Sequence, residues 1–262
     1  MTRFVLTLLV AMLLVPAVAE EPLRIRVLTY NIHHAEGTDD KLDLKRIARI
    51  IADAKPDLVA LQEVDYTNDR TGRVDQAAEL ARLTGLTAVP GDNIDYRGGR
   101  YGNAALSRWP IAQSKNHLLP STGAERRGVL AVEIKPGEGR PALRFLCTHF
   151  DHRAGDDAER LASATFINEL ALESDAPAIL AGDINAVPDS AVLKRLETVW
   201  RNPTADEPLP TIPAAKPKRQ IDYVLARSAD SWKLIDATVL DESVASDHRP
   251  LLVVLEWSGQ EQ

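Results

Sequence analysis

The chain has 262 residues, of which 45% are hydrophobic and 26% charged, with a formal net charge of −7 and an isoelectric point near 5.4. These are the proportions of an ordinary globular chain, long enough for one large domain that needs neither disulfides nor structural zinc to bury a core. The acidic balance excludes the broad electropositive surface of a tight duplex binder, although a nuclease stays open because bound metal ions supply positive charge locally.

In chain order, Met1-Thr2-Arg3 is a short basic start, Phe4 to Val15 is almost wholly apolar, and Pro16-Ala17-Val18-Ala19 offers a small-x-small cleavage pattern. Residues 1–19 therefore read as a secretory signal peptide, since the apolar run is shorter than the ~20 residues a membrane span needs. Cleavage would remove one cation, Arg3, and no acid, moving the net charge from −7 to −8. No later segment is apolar enough to span a bilayer. Residues 20–262 then form one catalytic domain. Cys147 is the single cysteine, cannot form an intrachain disulfide, and reads as a small buried hydrophobe. Export without disulfides fits a bacterial periplasm or exterior.

Strand patterning begins at Leu23–Tyr30. Asp43 is placed to cap a helix carrying Leu44, Ile47, Ile50 and Ile51 on one face and stopped by Pro56. Leu58–Gln62 is an apolar run, polar only at its closing Gln62, of the kind found in central strands. Asp75 can cap a second helix with Ala78, Leu80 and Leu83, ended by Gly85. Strands are expected at Leu86–Pro90, Gly102–Ser107, Ile111–Leu118, Gly128–Ile134 and Leu143–His149. Asp156–Glu173 reads as an amphipathic helix with Leu161, Thr165, Ile167, Leu170 and Leu172 toward its buried side. A strand at Ala178–Gly182 and a helix from Asp189 to Leu196, with Val192, Leu193 and Leu196 inward, follow. The Pro-rich segment 198–219 reads as a long loop. Its basic end, Lys216-Pro217-Lys218-Arg219, is either a solvated rim or a lip that steers an anion. Ile221–Ala226, Lys233–Leu240 and Leu251–Trp257 complete about eleven strands and three main helices. Amphipathic helices need sheets to cover, and face-to-face sheets with helices outside make a layered sandwich.

Polar residues punctuate the ends of these apolar runs: Asn31, Glu63, His149, Asp183, Asn185 and the pair Asp247-His248. Strand ends are where a sheet-based enzyme projects rigid, convergent side chains. Glu63 closes a buried strand, where a carboxylate must be ion-paired or metal-bound. The cation-poor company of Asn31 and Asp247 favours a hard ion such as magnesium, held by few carboxylates and water. His and Cys clusters at zinc spacing are missing, and the adjacent His33-His34 is a weak ligand pair. Asp183 can accept a proton from water and Asn185 can hold that water or a phosphoryl oxygen. His248 can contact phosphate when an acid holds its other nitrogen, and Asp222, in an apolar strand, is the candidate acid. His149 could hold a transition-state oxygen. Asp151 and His152 read equally as support for the site or as exposed loop, and His117 as structural.

These runs resemble the endonuclease/exonuclease/phosphatase superfamily, also called the pancreatic-deoxyribonuclease-like fold. The resemblance lies in Thr29-Tyr30-Asn31, Leu61-Gln62-Glu63, Gly102-Asn103-Ala104-Ala105-Leu106-Ser107, Thr148-His149, Gly182-Asp183-Ile184-Asn185, Ile221-Asp222-Tyr223 and Ser246-Asp247-His248-Arg249-Pro250. It implies an α+β fold, a four-layer αββα sandwich with two mostly antiparallel sheets, and dependence on Mg²⁺ or Mn²⁺. It also implies a metal region of Asn31, Glu63 and Asp247, a water-activating Asp183 helped by Asn185, and His248 held by Asp222 on the scissile phosphate. His149 would stabilise developing charge, and Asn103 would touch a phosphate oxygen. Arg127 would be a phosphate ligand or a structural ion pair. The chain lacks the paired cysteines of the secreted deoxyribonuclease, a DNA-wedging insertion and the membrane hairpin of sphingomyelinases. The expectation is a metal-dependent phosphoester hydrolase, a phosphodiesterase acting on a small or lipid-linked substrate, with a periplasmic nuclease as the alternative and an inactive phosphate-binding module as the outsider. No protein partner is implied.

Overall fold

The computed structural model describes residues 22–258 apart from 124, 139, 154, 156, 229 and 230. The expected signal segment and the expected helix start at Asp156 lie outside the described residues. No helix among the described residues is long and apolar enough to cross a membrane.

Among the described residues eleven strands and four α-helices run in the order β1 (Leu23–Asn31), α1 (Leu44–Ala54), β2 (Leu58–Tyr66), α2 (Gln76–Thr84), β3 (Thr87–Tyr96), β4 (Gly99–Ser107), β5 (Ile111–Leu118), β6 (Gly128–Ile134), β7 (Leu143–His149), α3 (Ala158–Leu172), β8 (Ala178–Asp183), α4 (Ala191–Leu196), β9 (Asp222–Arg227), β10 (Trp232–Val239) and β11 (Leu251–Trp257). They form a six-stranded sheet, ordered β10-β11-β1-β2-β4-β3, and a five-stranded sheet, ordered β5-β6-β7-β8-β9. Among the described residues only β1–β2 and β7–β8 pair in parallel. Each parallel pair is joined by a crossover helix, α1 or α3, because parallel neighbours need a long connection.

Strand alternation builds the layers. On β1, Ile25 and Val27 enter the core between the sheets, whereas Leu28 and Tyr30 pack under α1 with Ile47 and Ile51. On β8, Ile179 and Ala181 face the inter-sheet core, and Leu180 packs under α3 and α4 against Ile167, Leu193 and Leu196. Both faces of each central strand are therefore apolar, and the result is the αββα sandwich. Ile47 and Ile51 are fully buried, each contributing on the order of 2 kcal/mol. Caps follow the expected chemistry: Asp43 accepts from Arg46 N, Asp75 from Ala78 N, and Ser190 from Leu193 N.

Three local expectations are corrected. Leu172 is 60% exposed, because the buried stripe of α3 runs through Ser163, Ala164, Ile167, Leu170 and Ala171. On α2 the buried alanine is Ala77, while Ala78 is exposed. β3 extends to Tyr96 and forms a hairpin with β4 through Arg97-Gly98. Its polar Asp92, Asn93 and Asp95 hide the strand alternation on this sheet edge.

Candidate active site

The alternation that fills the inter-sheet core also sets its polar edge. Continuing each inward row by two residues leads from Val27 to Asn31 by way of Thr29, from Cys147 to His149, from Ala181 to Asp183, and back from Val224 to Asp222. The apolar core thus ends in four buried polar groups from both sheets, none more than 3% exposed. Glu63 joins them through an irregularity. The β2–β4 register shifts between Leu61 and Val64, and Glu63 sits at φ 61°, so a bulge re-aims its carboxylate. At the end of β8, Gly182 is required because a Cβ there would lie 2.0 Å from the Thr148 carbonyl oxygen.

Asp183 is the centre. Its Oδ2 accepts from Asn31 Nδ2 at 3.2 Å and lies 3.5 Å from His149 Nε2 and 3.7 Å from His248 Nε2. Its Oδ1 accepts from the Asn185 backbone N–H at 2.8 Å. Burial first, and the neighbouring Asp222 charge second, push the Asp183 carboxyl up to about 7, against the opposing pull of His248.

His248 has its Nδ1 2.9 Å from Asp222 Oδ2, an oxygen that also accepts from Thr211 Oγ1 at 2.5 Å. Burial disfavours its charge, but Asp222, Asp183 and Asp247 outweigh that effect and raise it to about 10, so it is an imidazolium at neutral pH. His149 behaves oppositely. Burial and the charges of Arg127, His248 and His152 hold it well below the usual histidine value. The two imidazoles beside Asp183 thus have different charges because their flanking groups differ in sign.

Asn31 also donates to Glu63 Oε1 at 3.0 Å, and Ser246 Oγ donates to the Asn31 carbonyl at 2.7 Å, tying the Asp247-His248 turn to β1. Glu63 and Asp247 line one cavity of about 520 Å³ with His33, Arg70, Ile94, Asp95, Tyr96, Tyr101, Glu125, Arg127 and His152. Among the described residues neither Glu63 nor Asp247 is ion-paired, and Glu63, half-buried and bonded to the Asn31 amide, faces the same cavity as the exposed Asp247. Carboxylates without a counter-charge suit a hard divalent ion. Deeper in the site, Asp183, Asp222 and His248 bring ligand-type atoms within 4.8 Å of one another.

The remaining sequence candidates fall as follows. Arg127 is 4% exposed and reaches His149 Nδ1 at 3.1 Å, His152 Nδ1 at 2.8 Å and Glu125 at 2.9 Å. It is both ion-paired and on the cavity wall. Asn103 donates to the Gly128 carbonyl at 3.0 Å, leaving its buried Oδ1 without a partner. The Asn185 side chain donates to the Phe150 carbonyl at 3.1 Å, so it braces the turn after β8. Asp151 is held by Arg153. The residues passed over by the sequence are Thr211, in the segment read as loop, and Tyr96, Tyr101 and Arg70 on the cavity wall. Thr211 had no signal, because its hydrogen bond to Asp222 depends on that loop folding back to bond with Arg249 N and Arg219.

This fold and this set of side chains define a class of phosphoester-cleaving sandwich. Residues 28–248 match the endonuclease/exonuclease/phosphatase family, and the chain belongs to that family, whose members are phosphoester hydrolases and typically depend on divalent metal. It is 28% identical over 240 residues to the protein YbhP of Escherichia coli strain K12, covering 86% of this chain and 94% of that one. Among solved structures, a family member from Beutenbergia cavernae superposes with a TM-score of 0.72 at 25% identity, covering 90% of this chain and 72% of that one. A mannosyl-6-phosphatase of Bacteroides thetaiotaomicron superposes at 0.71 and 19% identity, covering 88% and 99%. The human nocturnin catalytic domain with bound sulfate superposes at 0.70 and 22% identity, covering 90% and 95%.

Proposed function

We propose that the chain is an exported, Mg²⁺- or Mn²⁺-dependent phosphodiesterase that hydrolyses a small or lipid-linked phosphodiester by in-line attack of water. The observation that carries this reading is the convergence of Asn31, His149, His248 and the Asn185 backbone N–H on the two oxygens of Asp183. That arrangement holds one carboxylate beside two imidazoles that differ in charge.

Glu63, Asp247 and Asn31 would hold the ion, which supplies polarisation of a phosphoryl oxygen when bound. The chain's own groups do the rest. Asp183, raised into the neutral range, positions the attacking water and takes its proton. His248, charged and fixed by Asp222, presents an N–H to the same space, where it can neutralise an oxygen on phosphorus. His149, neutral and held by Arg127, adds a second donor there. Tyr96, Tyr101 and Ile94 give the adjoining cavity an apolar wall.

Charge balance supports a diester over a monoester. Arg70 and Arg127, the arginines lining the cavity, are ion-paired to Asp65 and Glu125. Little uncommitted positive charge remains for a dianion, while a singly charged diester needs less. A cavity of about 520 Å³ suits a headgroup or small molecule, and the acidic chain gives a duplex no extended field. The test is a panel of phosphodiesters, phosphomonoesters, phospholipids and plasmid DNA, with Mg²⁺, Mn²⁺ or chelator. Metal-dependent turnover of a small or lipid diester is expected. Cleavage of plasmid alone, or of sugar monophosphates alone as the name of the Bacteroides neighbour suggests, would replace the reading. Export is tested by sequencing the secreted protein, which is expected to begin at Glu20.

A further inference from the structure

The segment after β1 holds two histidines for which the chemistry above has no use. His33 and His34 lie in the short helical turn His33–Ala35, and with Glu63 they present ligand-type atoms within 4.8 Å of one another. The backbone that brings them there is left-handed for three consecutive residues: φ is 44° at His33, 44° at His34 and 67° at Ala35. None of the three is glycine, and such conformations are strained and persist only where the surroundings impose them.

Hydrogen bonding selects one nitrogen on each ring. His33 Nδ1 is 3.1 Å from the Glu36 carbonyl oxygen, an acceptor only, so Nδ1 carries the proton and Nε2 keeps a lone pair. His34 Nε2 is 3.2 Å from Glu36 Oε2, so Nε2 carries the proton and Nδ1 keeps the lone pair. Metal-binding histidines are oriented in this way, with the far N–H donated to a carbonyl or a carboxylate, and here Glu36 supplies both acceptors. His34 is only 6% exposed, and its Nδ1 is buried without a hydrogen-bond partner. A buried acceptor left alone is unfavourable, and a bound cation would relieve it.

We propose that His33, His34 and Glu63 form a site for a borderline-soft divalent cation of the zinc type, distinct from the oxygen-ligand region of Asn31 and Asp247 and sharing Glu63 with it. Two imidazoles and one carboxylate are a donor set that zinc accepts. Magnesium, which prefers oxygen, does not. Sharing Glu63 couples the two regions, so a cation on the histidines draws on the carboxylate that the hard ion also needs.

The experiment is a Zn²⁺ titration of metal-stripped protein by calorimetry, with Co²⁺ absorption as a second readout that needs no turnover. The proteins compared are the wild type, His33→Gln, His34→Gln, Glu36→Gln and Asp247→Asn. Wild type is expected to take up Zn²⁺ and to show imidazole-bound Co²⁺ bands. Each histidine variant is expected to lose at least ~100-fold in Zn²⁺ affinity, and Glu36→Gln roughly 10-fold as an orienting partner. Asp247→Asn is expected to keep the zinc site. Failure of the wild type to bind Zn²⁺ would overturn the proposal. So would binding that survives in both histidine variants but is lost in Asp247→Asn. His33 is only half-buried, so His33→Gln decides the matter even where the buried His34→Gln fails to fold.

Discussion

Arg127 Nη1 lies 3.1 Å from His149 Nδ1, and that contact decides which nitrogen of His149 bears the proton. A guanidinium can only donate. His149 Nδ1 must therefore accept, which places the ring proton on Nε2, facing Asp183 at 3.5 Å. Arg127→Gln is expected to free the tautomer, let the His149 value move up toward the ordinary histidine range, and lower kcat by roughly 10–100-fold, the usual effect of losing an orienting partner. Imidazole ¹⁵N shifts check the tautomer, and kcat against KM separates orientation from substrate binding. Unchanged ¹⁵N shifts in the variant would remove the role assigned to Arg127.

Asp183 and His248 carry the proton and charge transfers proposed above. Asp183→Ala and His248→Ala should each lower the rate at least ~10²-fold with little change in melting temperature relative to that loss. Rates are to be measured on whichever diester the substrate panel selects. Wild-type turnover in either variant refutes its role.

The pH dependence of stability follows from His248. Its folded-state value, about 10, lies above the 6.5 of an unperturbed histidine. The folded state therefore binds the proton more tightly, and the stabilisation is fully present below pH 6.5. It is lost as pH rises from there through 10. In metal-free protein the melting temperature is expected to fall across that window. Asp222→Asn, which removes the strongest charge on the ring, should flatten the fall. Equal slopes in the two proteins would contradict the ion pair.

Much of this site could be read from the chain because its residues obey the strand period. Asn31, His149, Asp183 and Asp222 each sit an even number of residues from an inward apolar neighbour, so apolar patterning and polar punctuation point to the same edge. Glu63 does not obey it: its orientation comes from the bulge at φ 61°, and only the chemistry of a carboxylate ending an apolar run marked it. Thr211 and the cavity wall of Tyr96 and Tyr101 were hidden for other reasons. Thr211 depends on how 198–219 folds back on the sheets, and Tyr96 on a register shift between Asp92 and Ile94 in β3, neither of which a local period encodes. Tyr101 shares the inward row of Asn103 and Ala105 but, as an aromatic, does not stand out as a site residue. His33 and His34 come together for a reason no regular period encodes: adjacent residues diverge on a regular element, and the turn that holds them is left-handed.

Cys147 lies in the inter-sheet core, fully buried, with its Sγ donating to the carbonyls of Leu61 at 3.5 Å and Ala104 at 3.3 Å. Burial pushes the thiol up to about 12, and the thiolate is the reactive form. Ellman's reagent at pH 8 is expected to leave the native protein unlabelled and to react with one thiol per chain in denaturant. Prompt labelling of native protein would mean that the sheets separate readily.

Gly182 offers a test of how the end of β8 is built. A Cβ added there meets the Thr148 carbonyl oxygen at 2.0 Å and its carbon at 2.9 Å. Both are backbone atoms of the neighbouring parallel strand, so no rotamer change can relieve the clash. Gly182→Ala must push β7 and β8 apart at the step before His149 and Asp183, whose Cα atoms are partners in that pairing. The cost should be about 1–3 kcal/mol, as for overpacked interiors, read from the denaturant midpoint at constant slope. Because the displacement falls between the two strands that carry His149 and Asp183, kcat should fall by more than the loss of folded protein explains. A variant as stable and as active as wild type would show that this strand spacing tolerates a methyl group, and that the close approach does not set the geometry around Asp183.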